Sequence, residues 1–240
     1  MNPDTRESAK SIFASVMRRA KNAKKTVVII APPAPFIHDF SNKDPIHVSA
    51  QDVSQIASGA FTGSVSARQL KSAGAEYAII GHSERRLAGD TNQIVIEKVK
   101  RAIEAGLRII LCVGESERDD YAKYFQTVRD QVLSVITAVD KKSAQWMTIA
   151  YEPVWAIGKS YDLAPDPSDI HEMSIYIKKI ASESLGKKAG LRLPVLYGGS
   201  VDAENAKNIL KNAEVDGLLI GRESLNPKYF GEIIDYANSI

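Results

Sequence analysis

Seven short apolar runs, each separated from the next by a stretch of helical periodicity, leave this chain few folds to choose from. The runs lie at 26–30, 47–50, 77–80, 108–113, 148–151, 195–197 and 218–220. They are rich in Val, Ile, Leu and Tyr, and most are followed by Gly, Pro or a polar residue. Helical patterns cover 67–73, 92–105, 119–139, 168–185, 202–212 and 227–238, with a short turn or helix at 34–40. Ahead of the first run, Ala9, Ile12, Phe13, Val16, Met17 and Ala20 share one apolar face, which predicts an opening helix over 4–23. Asn2 and Pro3 suit its N-cap and first helical position. Strands buried on both faces and joined by helices are parallel. The expectation is therefore an α/β fold, a (β/α) barrel one strand short. A flavodoxin-like open sheet is the alternative, but it usually needs fewer strands and less chain.

The 240 residues contain no low-complexity linker and no break in composition, so a single domain over 1–240 is expected. With 44% hydrophobic and 25% charged residues, disorder and collagen are excluded. No apolar run approaches the roughly 18 to 20 residues of a membrane helix. The first ten residues lack the apolar stretch of a signal peptide. The single cysteine, Cys112, agrees with a reducing compartment, and the expected location is cytoplasmic. A net charge of +2 with no block of like charge offers no footprint for nucleic acid, and no membrane partner is expected. The expected partner is a small molecule.

In parallel α/β folds, chemistry collects where strands end and helices begin. Those positions hold Gly81-His82-Ser83-Glu84-Arg85-Arg86 and Tyr151-Glu152-Pro153-Val154-Trp155-Ala156-Ile157-Gly158. Further on come Tyr197-Gly198-Gly199-Ser200 and Gly221-Arg222. A carboxylate and an imidazole at two strand ends can act as base and electrophile in enolisation. The two late glycine turns are read as feeding helix N-termini, whose N–H groups cradle phosphate. Each piece alone has a plainer reading. His82 fits a hydrogen-bonded structural histidine, Glu152 a salt-bridged strand end, and the Gly-Gly pair a tight turn. Cys112 reads as a packed core thiol, and His38, His47 and His171 show no metal-ligand spacing, so no metal is expected.

As an ordered set the motifs resemble the triosephosphate isomerase family from Met1 to the end. The resemblance rests on Ala31-Pro32-Pro33, Ala50-Gln51-Asp52, Gly59-Ala60-Phe61-Thr62-Gly63 and the block from Ala78 to Arg86. It continues through Leu111-Cys112-Val113-Gly114-Glu115, Ala150 to Gly158, Tyr197 to Val201 and Asp216-Gly217. It implies a TIM barrel interconverting dihydroxyacetone phosphate and D-glyceraldehyde 3-phosphate with no cofactor. Glu152 matches the catalytic base and His82 the neutral polarising imidazole, a pairing for which this family is itself the standard illustration. Gly158, Ser200, Gly221 and Arg222 match the backbone phosphate grip. Ile157 and Leu219 match an apolar cover over the base, with Ser83 and Glu84 in support. The stretch after Trp155 matches a closing lid.

The same resemblance marks departures. The family opens with a strand ending Asn-Trp-Lys-Met-Asn, and this chain begins at Met-Asn, without the Asn and Lys of the active site. Glu84 matches the partner of that lysine. The lid reads Gly158-Lys159-Ser160-Tyr161-Asp162 where the family has Gly-Thr-Gly-Lys, and Ser64 stands where a glutamate is usual. The expectations are impaired catalysis and edges exposed at 26–30 and 218–220. Assembly is expected as a homodimer, or an altered homo-oligomer, through the loop around Thr62. A non-catalytic phosphate-binding or assembly barrel of the same ancestry is the alternative. Another phosphosugar barrel enzyme is a third reading, disfavoured by the His82 and Glu152 blocks.

Overall fold

A computed structural model describes residues 1–119, 121–157 and 165–240. Helix α1 (Arg6–Ala20) leads to β1 (Val28–Ile30), α2 (Ile37–Phe40), β2 (Ile46–Ala50) and α3 (Ala67–Ser72). Then follow β3 (Tyr77–Ile80), α4 (Ser83–Leu87), α5 (Asn92–Glu104) and β4 (Arg108–Val113). After α6 (Lys123–Ile136) come β5 (Met147–Tyr151), α7 (Pro167–Leu185), α8 (Lys187–Arg192) and β6 (Val195–Tyr197). Helix α9 (Ala206–Asn212), β7 (Gly217–Leu218) and α10 (Pro227–Ser239) complete the described elements. None of the described helices is long and apolar enough to cross a membrane.

The strands pair in parallel and in sequence order, β1 to β7, as a single sheet that curls into an open barrel. Alternation along each strand sorts side chains between two cores. In β4, Ile109, Leu111 and Val113 face the helices, while Ile110 and Cys112 face the barrel interior with Tyr77, Ile79 and Ala150. In β5, Ile149 and Tyr151 pack outward and Ala150 inward. The position after Tyr151 therefore points inward again, toward the mouth.

Among the described residues the outer edges of β1 and β7 have no strand partner. The helical layer nevertheless closes outside this seam. Helices α1 and α10 are in contact, joined by an Arg19–Asp235 ion pair. Lys25 N–H donates to Asn238 Oδ1 at 2.9 Å just beyond the end of α1.

Local hydrogen bonds trim several expected elements. Helix α1 is capped by Thr5, not Asn2, because Thr5 is extended and its hydroxyl accepts from Ser8 N–H at 3.1 Å. The helix expected over 119–139 starts only at Lys123, since the Asp119 carboxylate accepts from Tyr121 and Lys123 N–H in a turn. Asp202 likewise holds a turn through Glu204 and Asn205 N–H, so the helix expected from 202 begins at Ala206. The strand expected at 218–220 is registered as Gly217–Leu218, and Leu219 N–H still reaches Tyr197 O at 2.8 Å.

Candidate active site

Glu152 follows β5 directly and is carried inward by the strand alternation, its N–H bonded to Val113 O at 2.8 Å. Gly114 makes room, because a Cβ there would lie 1.7 Å from Glu152 O. The carboxylate is 2% exposed. Its Oε2 accepts the Ser83 N–H at 3.0 Å, and its Oε1 stands 3.3 Å from His82 Nε2 without a hydrogen bond of good geometry among the described residues.

His82 reaches this point through Gly81, whose φ of +77° turns the chain out of β3 in a conformation that side chains resist. His82 then caps α4. Its Nδ1 accepts the Glu84 N–H at 3.3 Å, so in this arrangement the ring proton sits on Nε2, on the side of Glu152. Burial pushes the Glu152 carboxyl above its ordinary pKa, opposed by His82 and the Ser83 N–H. Burial also pushes the Cys112 thiol well up, with the Glu152 carboxylate beside it adding to the shift. Arg86, whose Nε donates to Gly81 O at 2.8 Å, is pulled down by its own burial. Cys112 is a core residue, as its sequence context suggests, but one that lies against the candidate base.

A second buried carboxylate holds the segment that leaves the site. Glu115 Oε1 accepts from Tyr151 Oη at 2.9 Å and from Trp155 Nε1 at 2.8 Å. Arg118 lies across the Trp155 ring and pairs with Asp169 at 3.0 Å. Sequence reasoning quoted Glu115 only as part of a motif. The available signal is a lone carboxylate just past the apolar run 109–113.

The opposite wall comes from the ends of β6 and β7. Glu152, His82, Glu84, Ile157, Ser200, Leu219, Gly221 and Arg222 all line one cavity of about 2110 Å³. Ser83 stands behind Glu152 through its N–H, and Gly158, Lys159, Ser160, Tyr161 and Asp162 lie outside the described residues. Ser200 Oγ donates to Ala156 O at 2.7 Å, tying this wall to the turn after Glu152. Leu219 Cβ lies beside Gly198, whose own added Cβ would stand 3.0 Å from Glu152 Cγ. The expected helix N-termini are weaker than the sequence reading supposes. Gly221 opens only a four-residue 3-10 turn, Arg222–Leu225. Gly198 to Ser200 are separated from α9 by the Asp202–Asn205 turn, in which Asn205 Nδ2 donates to Ser200 O at 3.0 Å. Neither turn is backed by a long helix.

The sequence model of the triosephosphate isomerase family matches residues 1–237. A triosephosphate isomerase of Debaryomyces hansenii is 38% identical over 231 residues, 94% of this chain and 91% of its own length. One of Zygosaccharomyces bailii is 38% identical over 239 residues, covering 96% and 93%. One of Porphyromonas gingivalis is 40% identical over 234 residues, covering 95% and 90%.

Proposed function

This chain belongs to the triosephosphate isomerase family, and from that premise we propose that it interconverts dihydroxyacetone phosphate and D-glyceraldehyde 3-phosphate through an enediolate. The observation that carries this reading is the 3.3 Å approach of His82 Nε2 to Glu152 Oε1 at the cavity's mouth. Glu152 takes a proton from the carbon beside the carbonyl and returns it to the neighbouring carbon. His82 donates its Nε2–H to the carbonyl oxygen, where negative charge develops. The Ser83 N–H aims the carboxylate, and Glu84 fixes the imidazole tautomer through its N–H. Arg222 and the N–H groups around Ser200 and Gly221 hold the phosphate, together with Gly158. Leu219 and Ile157 shield the base from water, which raises its basicity toward carbon.

The open seam reaches this cavity, because Val28, Ile30, Leu218 and Ile220 line it as well. A barrel open at this seam is expected to turn over more slowly than one whose ladder is complete around the mouth. The same seam favours the second reading, a barrel that binds phosphate and assembles but does not turn over. Assembly through the loop around Thr62 rests on its exposure, with Phe61 46% exposed at its tip.

Deuterium incorporation into dihydroxyacetone phosphate in D₂O, followed by NMR, tests the reaction. Exchange by the chain and its loss in Glu152→Gln are expected. Phosphate binding without any exchange overturns the isomerase reading and leaves the non-catalytic one.

A further inference from the structure

One guanidinium behind the candidate base takes no part in the proposed reaction. Arg86 of α4 reaches back to the turn that joins β3 to His82. Its Nε donates to Gly81 O at 2.8 Å, and its Nη1 donates to Asn92 Oδ1, also at 2.8 Å. These two bonds fasten the turn to the first residue of α5. Glycine adopts either sign of φ with ease, so a Gly81 carbonyl left to itself would not fix the direction in which His82 leaves the strand. The third nitrogen, Nη2, is buried and has no hydrogen bond among the described residues. It lies against the turn, where a Cβ added to Gly81 would stand 3.2 Å from Nη2 and 3.0 Å from Cys112 O. Arg86 does not line the cavity, so it acts there only through other residues.

Its charge is as unusual as its fork. Arg85 next to it pairs with Asp52 at 3.0 Å, whereas Arg86 has no ion pair among the described residues. A cation placed away from water needs compensation from anions nearby. Burial pulls this guanidinium down, and Cys112 on β4, Glu152 after β5 and Asp90 before α5 oppose that fall. Asp90 is already paired with Lys98, and burial keeps the Cys112 thiol protonated. Glu152 is the carboxylate left for Arg86 to balance, with His82 the other charge-bearing group facing it.

We propose that Arg86 is a positioning residue, whose fork holds the Gly81 turn that presents the His82 imidazole and whose unpaired charge stabilises the Glu152 carboxylate. The inference rests on the isomerase reading for the roles of His82 and Glu152. A lysine would not replace it, because one ammonium is a point charge and cannot span two fixed acceptors in a plane.

Three variants of the full chain separate fork from charge. Arg86→Met removes both, Arg86→Lys keeps the charge, and Asn92→Asp keeps the fork while neutralising it. An aspartate is favoured in the first turn of a helix, so Asn92→Asp should fold at least as well as the parent. Two NMR signals are read that need no turnover: the ring nitrogens of His82 and the titration of the Glu152 carboxyl carbon, assigned with Glu152→Gln. The parent and Asn92→Asp should show one His82 tautomer, protonated on Nε2, and both Arg86 variants should show a mixture. Glu152 should titrate about one unit higher in Arg86→Met and Asn92→Asp, and near the parent value in Arg86→Lys. In deuterium exchange, Arg86→Lys should lower kcat about tenfold and leave KM within about twofold. A parent that gives both signals without exchange loses the isomerase reading and retains the positioning role. A single His82 tautomer in both Arg86 variants overturns the proposal, as does an unmoved Glu152 titration in Asn92→Asp. A fall in Tm with both signals unchanged assigns Arg86 to stability alone and overturns it too. If Arg86→Met does not fold, the other two variants decide.

Discussion

The centre of the sheet and its seam are built from the same kinds of residue but in different condition. In β3 and β4 every apolar residue is buried, with Ile80, Ile109 and Leu111 at 0% exposure. At the seam, Ile29, Ile30 and the whole of 217–220 are only half-buried. The division of chemical labour follows this line. The candidate base and polarising group stand at the ends of β5 and β3, each strand paired on both sides. The candidate phosphate grip at Gly221 and Arg222 stands just past β7, which among the described residues is paired on one side. The difference teaches that groups needing sub-ångström placement sit where the ladder is complete, and binding groups tolerate the looser edge.

The most direct way to break this comparison is at its centre. Glu152→Gln should lower proton exchange by about 10²- to 10⁴-fold, measured by deuterium incorporation. The same variant should not lose stability, because it removes a buried carboxylate whose Oε1 lacks a good hydrogen bond. A fall in Tm accompanying the lost exchange would assign Glu152 a structural role.

Packing gives the next largest contrast. Leu111→Ala should cost about 2–5 kcal/mol in urea unfolding. Leu218→Ala, on a side chain already half-open to the cavity, should cost about 1 kcal/mol. Equal costs would mean that the seam is as tightly packed as the centre.

Arg222→Ala should raise KM about tenfold and move kcat less, since it removes an interaction shared by ground and transition states. A kcat effect equal to that on kcat/KM would put Arg222 in the chemical step.

The smallest effect is a pH dependence. Because burial raises the folded-state pKa of Glu152, the fold holds that proton more tightly than the unfolded chain does. Its stabilising contribution is complete below the ordinary carboxylate pKa and is lost as pH rises through the raised value. The stability of Glu152→Gln relative to the parent chain should therefore improve as pH rises above the ordinary carboxylate range. In the parent, the acidic limb of exchange should lie above the ordinary carboxylate pKa.

Much of this architecture is legible without coordinates. The seven apolar runs coincide with the seven described strands to within two residues at each end, because parallel strands between helices are apolar on both faces. The resemblance names His82, Glu152, Ser200, Gly221 and Arg222 as a candidate site, and all five line one cavity. Strand β7 was less legible. Its pairing ends at Leu218, since Leu219 and Ile220 have apolar side chains but no second neighbour to complete a ladder. Helix starts were also misplaced, by Thr5, Asp119 and Asp202, whose side chains take backbone N–H groups into caps and turns.

By itself the sequence determined the order and type of the elements, because hydrophobic period and turn chemistry act within a few residues. Its long motifs also marked which strand ends to read as the candidate site. Only the tertiary structure decided that α1 and α10 close the helical layer while the sheet stays open beneath them. The helices meet through Arg19, Asp235 and Asn238, side chains more than 200 residues apart in the pairing of Arg19 with Asp235. Tertiary structure likewise set the orientation of His82 toward Glu152, 69 residues on from the Ser83 N–H that aims the carboxylate. Such distances are free of local rules: they are settled when the sheet curls and burial leaves each buried polar group to find the partner within reach.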